Sequence, residues 1–121
     1  MLIVGIVLAG AVGAPTRYLV DRFVQRRTEG HFPLGTFVVN VSGSLLLGFI
    51  VGLGLYRAFP STPAAVLGSG FCGAYTTFST FTYETLALTE ARAYAAAVSN
   101  VLLSAVVPAL AAGAGLALAA L

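Results

Sequence analysis

Residues 72–82 read CGAYTTFSTFT and place five hydroxyl side chains around two phenylalanines. The chain that surrounds this stretch is 59% hydrophobic and only 8% charged, and its mean hydropathy is +0.97. Soluble domains carry about a quarter charged residues, so the composition predicts a protein that is embedded largely in lipid. A dense polar stretch within such a chain therefore needs a physical explanation.

Four segments are long and apolar enough to cross a bilayer, which takes about 20 residues of helix. They cover approximately residues 2–20, 33–56, 62–88 and 91–121. The connections are short, so the sequence predicts a single all-α transmembrane domain over residues 1–121. The loop DRFVQRRTEGH contains the only histidine, His31, and the third span contains the only cysteine, Cys72. These two residues cannot assemble a zinc site in one chain.

The opening stretch lies inside the third predicted span. Its glycines and threonines are poor helix formers, and hydroxyl side chains can bond to the backbone in place of helical partners. We therefore predict that the third helix is broken in mid-membrane. Such a break is tolerated only where it is buried in protein or lines a wet cavity. Its free carbonyls can coordinate a cation, and its hydroxyls and N–H groups can meet an anion.

Polar residues recur in the other spans. Arg17 lies near the end of the first span, and Asn40 shares a helix face with Thr36 and Ser44. In the fourth span the polar positions are Asn100 and Ser104, followed by Pro108 at the same spacing of four. An amide within the membrane is costly unless it is paired or hydrated. Together with the hydroxyls and phenylalanine ring edges, these residues favour a permeation path for a small, strongly hydrated ion.

Small residues also recur on the second span, where Gly48 and Gly52 form a GxxxG pair. This spacing permits close approach of two helices. We interpret these two glycines as helix-packing residues.

Three motifs in order resemble the Fluc (CrcB) fluoride channel family. They are GAVGAPTRY at 10–18, GTFVVNVSGSLLLG at 35–48 and GFCGAYTTFSTF at 70–81. The resemblance implies an antiparallel, dual-topology homodimer in the prokaryotic plasma (inner) membrane. It also implies two pores per dimer and passive export of cytoplasmic fluoride, with no organic cofactor.

The resemblance also implies roles for individual residues. Gly73 and Thr76 would lend backbone carbonyls to a structural sodium ion at the dimer interface. Arg17 would be the vestibule arginine, and Glu84 would lie at the end of a polar track. The implied fluoride pore comprises Asn40, Phe78, Phe81, Thr77, Ser79, Thr80, Ser104 and Asn100. In the fourth span Asn100 stands where a tyrosine is common in the family, and Pro108 replaces a glycine.

Other classes of function are weighed on the same residues. A small four-helix drug/proton antiporter is the main alternative, but it requires a membrane-embedded carboxylate, and the only candidate is Glu84 near the end of the third span. An accessory membrane subunit would explain the glycines but not Asn40 beside the Thr/Phe cluster. The sequence offers no nucleophile–base pair that would indicate an enzyme. The arginine cluster between spans is not the basic face of a nucleic-acid-binding protein.

The distribution of arginines leaves the topology open. Five of the six arginines lie on one side of the predicted membrane domain, with Arg57 alone on the other. The positive-inside rule would place both termini outside. Two alternatives follow: a homodimer that overrides the rule, or a pairing with an inverted second chain.

Overall fold

The computed structural model describes residues 1–30 and 32–121, and His31 lies outside the described residues. Every regular element in the described ranges is helical. In chain order they are α1 (Leu2–Arg26), α2 (Leu34–Tyr56), α3 (Ser61–Ala65), a π-helical segment (Val66–Cys72), α4 (Gly73–Tyr75), α5 (Ser79–Glu90) and α6 (Tyr94–Ala120).

Three of these helices, α1, α2 and α6, are long and apolar enough to cross a membrane. The protein is therefore an integral membrane protein. The third predicted span is divided among α3, the π-helical segment, α4 and α5.

Two predicted span boundaries differ from the structure. The first span was expected to end at Val20, but α1 continues to Arg26, because no glycine or proline interrupts residues 16–29. The fourth was expected to begin at Ala91, but α6 begins at Tyr94. The delay follows from a turn in which Arg92 has a φ of 61°, a left-handed conformation that a helix cannot include.

The GxxxG prediction for the second span is confirmed, because α2 and α6 pack closely through glycines on both helices. A Cβ atom added at Gly48 would collide with the backbone carbonyl of Ala112, and one at Gly52 would lie 2.6 Å from the Cβ of Ala119. From the other side, Gly115 faces the carbonyl of Leu45 in the same way. Backbones this close leave no room for a side chain.

A second close contact joins α1 to the π-helical segment. A Cβ at Gly13 would lie 2.5 Å from the carbonyl oxygen of Phe71, and one at Gly70 would lie 2.8 Å from that of Ile6. These contacts hold the π-helical segment against α1. They thereby fix where α4 ends and where the polar stretch 76–82 begins.

Candidate functional site

The helix that enters the polar stretch ends abruptly. Tyr75 is the last residue of α4, Thr76 is extended with φ −79° and ψ 160°, and α5 begins at Ser79. A helix end exposes carbonyls that have no partner within the helix. Consistent with this, no hydrogen bond from another described residue reaches the carbonyl oxygens of Gly73 or Thr76.

Asn40 of α2 bonds to the backbone at this interruption. Its Nδ2 donates to the carbonyl of Thr77 at 2.9 Å, and its Oδ1 accepts from the N–H of Thr77 at 2.9 Å. One side-chain amide thus satisfies both backbone groups of a residue outside any helix. Nδ2 carries two hydrogens, so one donor remains after this pairing.

The hydroxyl of Thr77 organises the start of α5. Thr77 Oγ1 accepts from the backbone N–H of Thr80 at 3.2 Å and donates to the Thr80 hydroxyl at 3.2 Å. It also lies 3.5 Å from the hydroxyl of Ser79. Free N–H groups in a first helical turn are commonly satisfied in this way. Thr77, Ser79 and Thr80 therefore form one hydroxyl cluster.

Two cavities share Thr77 as a lining residue. The first, which we call the Asn40 cavity, has a volume of about 230 Å³ and is lined by Asn40, Gly43, Ser44, Leu47, Thr76, Thr77, Ser104 and Pro108. The second, the Arg17 cavity, has a volume of about 130 Å³ and is lined by Arg17, Tyr18, Asp21, Thr36, Val39, Thr77 and Thr80. Among the described residues, Thr77 alone lines both. The structure thus brings residues from all four predicted spans to one polar region.

Thr36 and Asp21 are among the residues of the Arg17 cavity that the sequence did not assign to a site. Thr36 is 3% exposed, and its Oγ1 has no hydrogen-bond partner among the described residues. Asp21, expected in the first loop, lies on α1 one turn after Arg17. The spacing of Thr36 and Asn40 on one helix face was the available signal for Thr36. No sequence signal placed Asp21 in the cavity.

Asn100 and Ser104 form a second hydrogen-bonded group between α5 and α6. Asn100 is 2% exposed, its Nδ2 donates to Thr85 Oγ1 at 2.8 Å, and its Oδ1 accepts from Ser104 Oγ at 3.2 Å. Thr85 donates in turn to the carbonyl of Phe81 at 2.8 Å. Asn100 therefore does not line the Asn40 cavity but holds Ser104, which does. Thr85 was not predicted, and its helical spacing of four from Phe81 was the only hint.

Pro108 contributes to the Asn40 cavity through its missing N–H. A proline within a helix removes the bond to the carbonyl four residues earlier, which here belongs to Ser104. Both Ser104 and Pro108 line the cavity.

Phe78 and Phe81 lie beside the polar cluster rather than inside either cavity. Their ring centroids are 5.7 Å apart at an interplanar angle of 48°, and Phe78 is 77% exposed. Glu84 follows one turn after Thr80 on α5, and its Oε1 is buried with no hydrogen-bond partner among the described residues. Neither cavity is lined by Glu84.

Fold and site together define a polytopic helical membrane protein with polar cavities around an interrupted helix. The chain belongs to the family described as CrcB-like protein, Camphor Resistance (CrcB), whose model matches residues 4–116. The family assignment made from the three sequence motifs is thus confirmed.

Curated relatives cover most of the chain. "Fluoride-specific ion channel FluC 2" of Mycobacterium tuberculosis (strain CDC 1551 / Oshkosh) is 47% identical over 103 residues, which are 85% of this chain and 79% of the relative. "Fluoride-specific ion channel FluC 1" of Streptomyces avermitilis is 53% identical over 95 residues, 76% of this chain and 77% of the relative. "Fluoride-specific ion channel FluC 2" of Mycolicibacterium paratuberculosis is 50% identical over 103 residues, 85% of this chain and 81% of the relative.

Proposed function

We propose that this protein is a fluoride-selective ion channel and that fluoride passes Thr77 on its way across the membrane. The observation that carries the proposal is that Thr77 lines both the Arg17 cavity and the Asn40 cavity. The names of the curated relatives indicate the ion. The interruption between α4 and α5 then lies at membrane depth, where unpaired backbone is tolerated only beside a wet cavity.

The chemistry of the two cavities suits a small, strongly hydrated anion. Arg17 raises the local concentration of anions at one end. The unpaired hydroxyl of Thr36 and the second Nδ2 hydrogen of Asn40 are neutral donors that can replace water around the ion. Neutral donors make entry favourable without trapping the ion, which conduction requires.

The two phenylalanines extend this path beyond the cavities. Aromatic ring edges carry partial positive charge, so the edges of Phe78 and Phe81 can contact fluoride without binding it strongly. Ser79 and Thr80 supply hydroxyls along the same stretch of α5, and Ser104 supplies one from α6. Glu84 would end this polar track beside Thr36, and Asn100 positions Ser104.

We further propose that a second, inverted copy of the chain completes the site and that each dimer has two pores. The support is the exposure of site residues in the single chain, where Phe78 is 77% exposed and Gly73 is also exposed. An aromatic residue that contacts an ion is expected to be enclosed by protein. An inverted copy would cover it and would repeat the path in the opposite orientation.

A structural sodium ion is part of the same proposal. The carbonyl oxygens of Gly73 and Thr76 have no hydrogen-bond partner among the described residues, and unwound backbone carbonyls are ligands that suit Na⁺. These two residues would hold the ion through their backbone carbonyls, and its charge would offset their partial negative charge. Replacing sodium by N-methyl-D-glucamine throughout purification should then dissociate the dimer, and a dimer that persists would contradict the assignment.

The physiological role follows from acid–base chemistry. Neutral HF crosses membranes and ionises in the less acidic cytoplasm, where the anion accumulates. In a prokaryotic plasma membrane, an interior-negative potential drives fluoride outward through a passive channel, by about 2.3 kcal/mol per charge per 100 mV.

Efflux from liposomes tests the proposed function. Purified protein is reconstituted in vesicles loaded with potassium fluoride or potassium chloride, and valinomycin starts efflux, which ion-selective electrodes follow. We expect rapid fluoride release with chloride release near that of protein-free vesicles. No fluoride release, or equal release of both anions, would contradict the proposal. Proton-coupled uptake of a cationic drug-like dye, without fluoride release, would favour the antiporter.

A further inference from the structure

We propose that the last turns of α1 bind the phosphate headgroup of an anionic phospholipid. This inference goes beyond the proposed channel function and does not depend on it. The surface is an open groove of about 600 Å³, which we call the α1 basic groove, lined by Tyr18, Leu19, Arg22, Phe23, Arg26 and Arg27.

The length of α1 places this groove at the membrane surface. The helix has 25 residues and is therefore about 37 Å long at about 1.5 Å per residue, whereas the hydrocarbon layer is roughly 30 Å thick. The arginines occupy its C-terminal end, so the excess length carries them to the headgroup region. Tyr18 lies just before them, and tyrosine is enriched at this interface.

The charges of the groove are all of one sign. Three arginines line it, and none of the lining residues is a carboxylate. Asp21, the nearest acid on the helix, instead lines the Arg17 cavity together with Arg17 itself. The end of α1 thus borders the candidate ion path on one side and presents three arginines to the groove on the other, with Tyr18 lining both.

Aromatic rings hold two of the three guanidinium groups in position. The Arg27 guanidinium carbon lies 4.3 Å from the centroid of the Phe23 ring, and that of Arg22 lies 5.5 Å from the Tyr18 ring. Arg22 Nη1 also donates to the Tyr18 hydroxyl at 3.0 Å. A guanidinium above a ring keeps its in-plane N–H donors for another acceptor, and their fork matches phosphate oxygens.

Apolar residues beside the arginines favour a lipid over free phosphate. Leu19 is 65% exposed and Phe23 is 59% exposed, and both line the groove. Free phosphate offers nothing to these side chains. A phospholipid whose headgroup contacts the arginines places its acyl chains next to Leu19 and Phe23. Both the basic and the apolar residues of the groove then contact the lipid.

Competitive lipid binding tests the proposal. The protein is incubated in detergent with equimolar phosphatidylglycerol and phosphatidylcholine, and retained lipids are counted by native mass spectrometry. We expect phosphatidylglycerol to be retained preferentially by the wild type. Arg26→Gln and Arg27→Gln each remove one charge from the groove and should lower this preference about five-fold.

Arg92→Gln is the matched control, since it also removes one charge but lies in the turn between α5 and α6. It should leave the preference unchanged, and an equal loss in this variant would overturn the proposal, as would equal retention of the two lipids by the wild type. Inorganic phosphate that displaces phosphatidylglycerol at similar concentrations would also overturn it, because the site would then recognise the free anion. Size-exclusion elution of each variant verifies that it is folded.

Discussion

The pairing between Asn40 and Thr77 gives the sharpest prediction about the site. Asn40→Ala removes both hydrogen bonds, each 2.9 Å long, and leaves the N–H and carbonyl of Thr77 without partners. An orphaned buried group costs about 1–3 kcal/mol. Thr77 is only half-buried, so water can compensate in part, and we expect a loss of about 2–3 kcal/mol in the free energy of unfolding.

Chemical unfolding in mixed micelles, followed by circular dichroism, measures this loss. Ser44→Ala is the control, because Ser44 lines the same cavity but is not part of the Asn40–Thr77 pair. It should change the free energy of unfolding by about 0.5 kcal/mol or less. Fluoride efflux should fall strongly in Asn40→Ala and little in Ser44→Ala.

Asn40→Asp separates position from charge. It retains an oxygen that accepts from the Thr77 N–H but replaces the donor to the carbonyl with a carboxylate. We expect fluoride efflux to be abolished, because a fixed negative charge would repel the anion. If Asn40→Ala unfolds within about 0.5 kcal/mol of the wild type and conducts normally, the pairing does not support the site and our reasoning is refuted.

Two further predictions concern charge and packing. Asp21→Asn removes the negative charge that shares a cavity with Arg17 and should raise fluoride efflux at low ionic strength by on the order of several-fold. Glu90→Gln makes an equal charge change at the exposed end of α5 and should leave efflux unchanged. Equal effects of the two variants would argue against a local effect of Asp21 on the ion. Gly115→Ala forces a methyl group against the backbone of α2 and should cost about 1–3 kcal/mol of unfolding free energy, measured in the same micelles. Gly113→Ala meets nothing within 4 Å and should be neutral or slightly stabilising, so a similar loss in both variants would show that close packing is not the cause.

Much of the fold could be predicted from the sequence because lipid imposes simple rules. Long apolar runs predicted α1, α2 and α6, and the glycine spacing of Gly48 and Gly52 predicted a close helix contact. The end of α1 was missed because charge was interpreted as loop. A helix that leaves the hydrocarbon can remain helical while its side chains become charged, and Arg22 and Arg26 lie on such an extension.

For the candidate site, the sequence indicated which residue types are present but not which residues contact each other. Asn40 was predicted to face an ion, and this stays a prediction. Its pairing with the Thr77 backbone could not be predicted, because a backbone break creates partners that no sequence pattern records. The placement of Asp21 beside Thr36 likewise depends on how α1 packs against α2. Asn100 was assigned to the pore from its position alone, whereas its bond to Thr85 depends on the approach of α5 to α6.

Fluoride efflux from liposomes containing Thr77→Val tests whether fluoride passes Thr77, the residue that lines both cavities. This change keeps the shape of the side chain and removes only the hydroxyl. Thr82→Val is the matched control, since the Thr82 hydroxyl is exposed and donates to the Phe78 carbonyl of its own helical turn at 2.9 Å. We expect efflux to fall by about ten-fold or more in Thr77→Val, because the hydroxyl that accepts from the Thr80 N–H and donates to the Thr80 hydroxyl is lost from the cluster at this point of the path. Efflux should stay near the wild-type rate in Thr82→Val. Wild-type fluoride efflux in Thr77→Val would contradict the proposal.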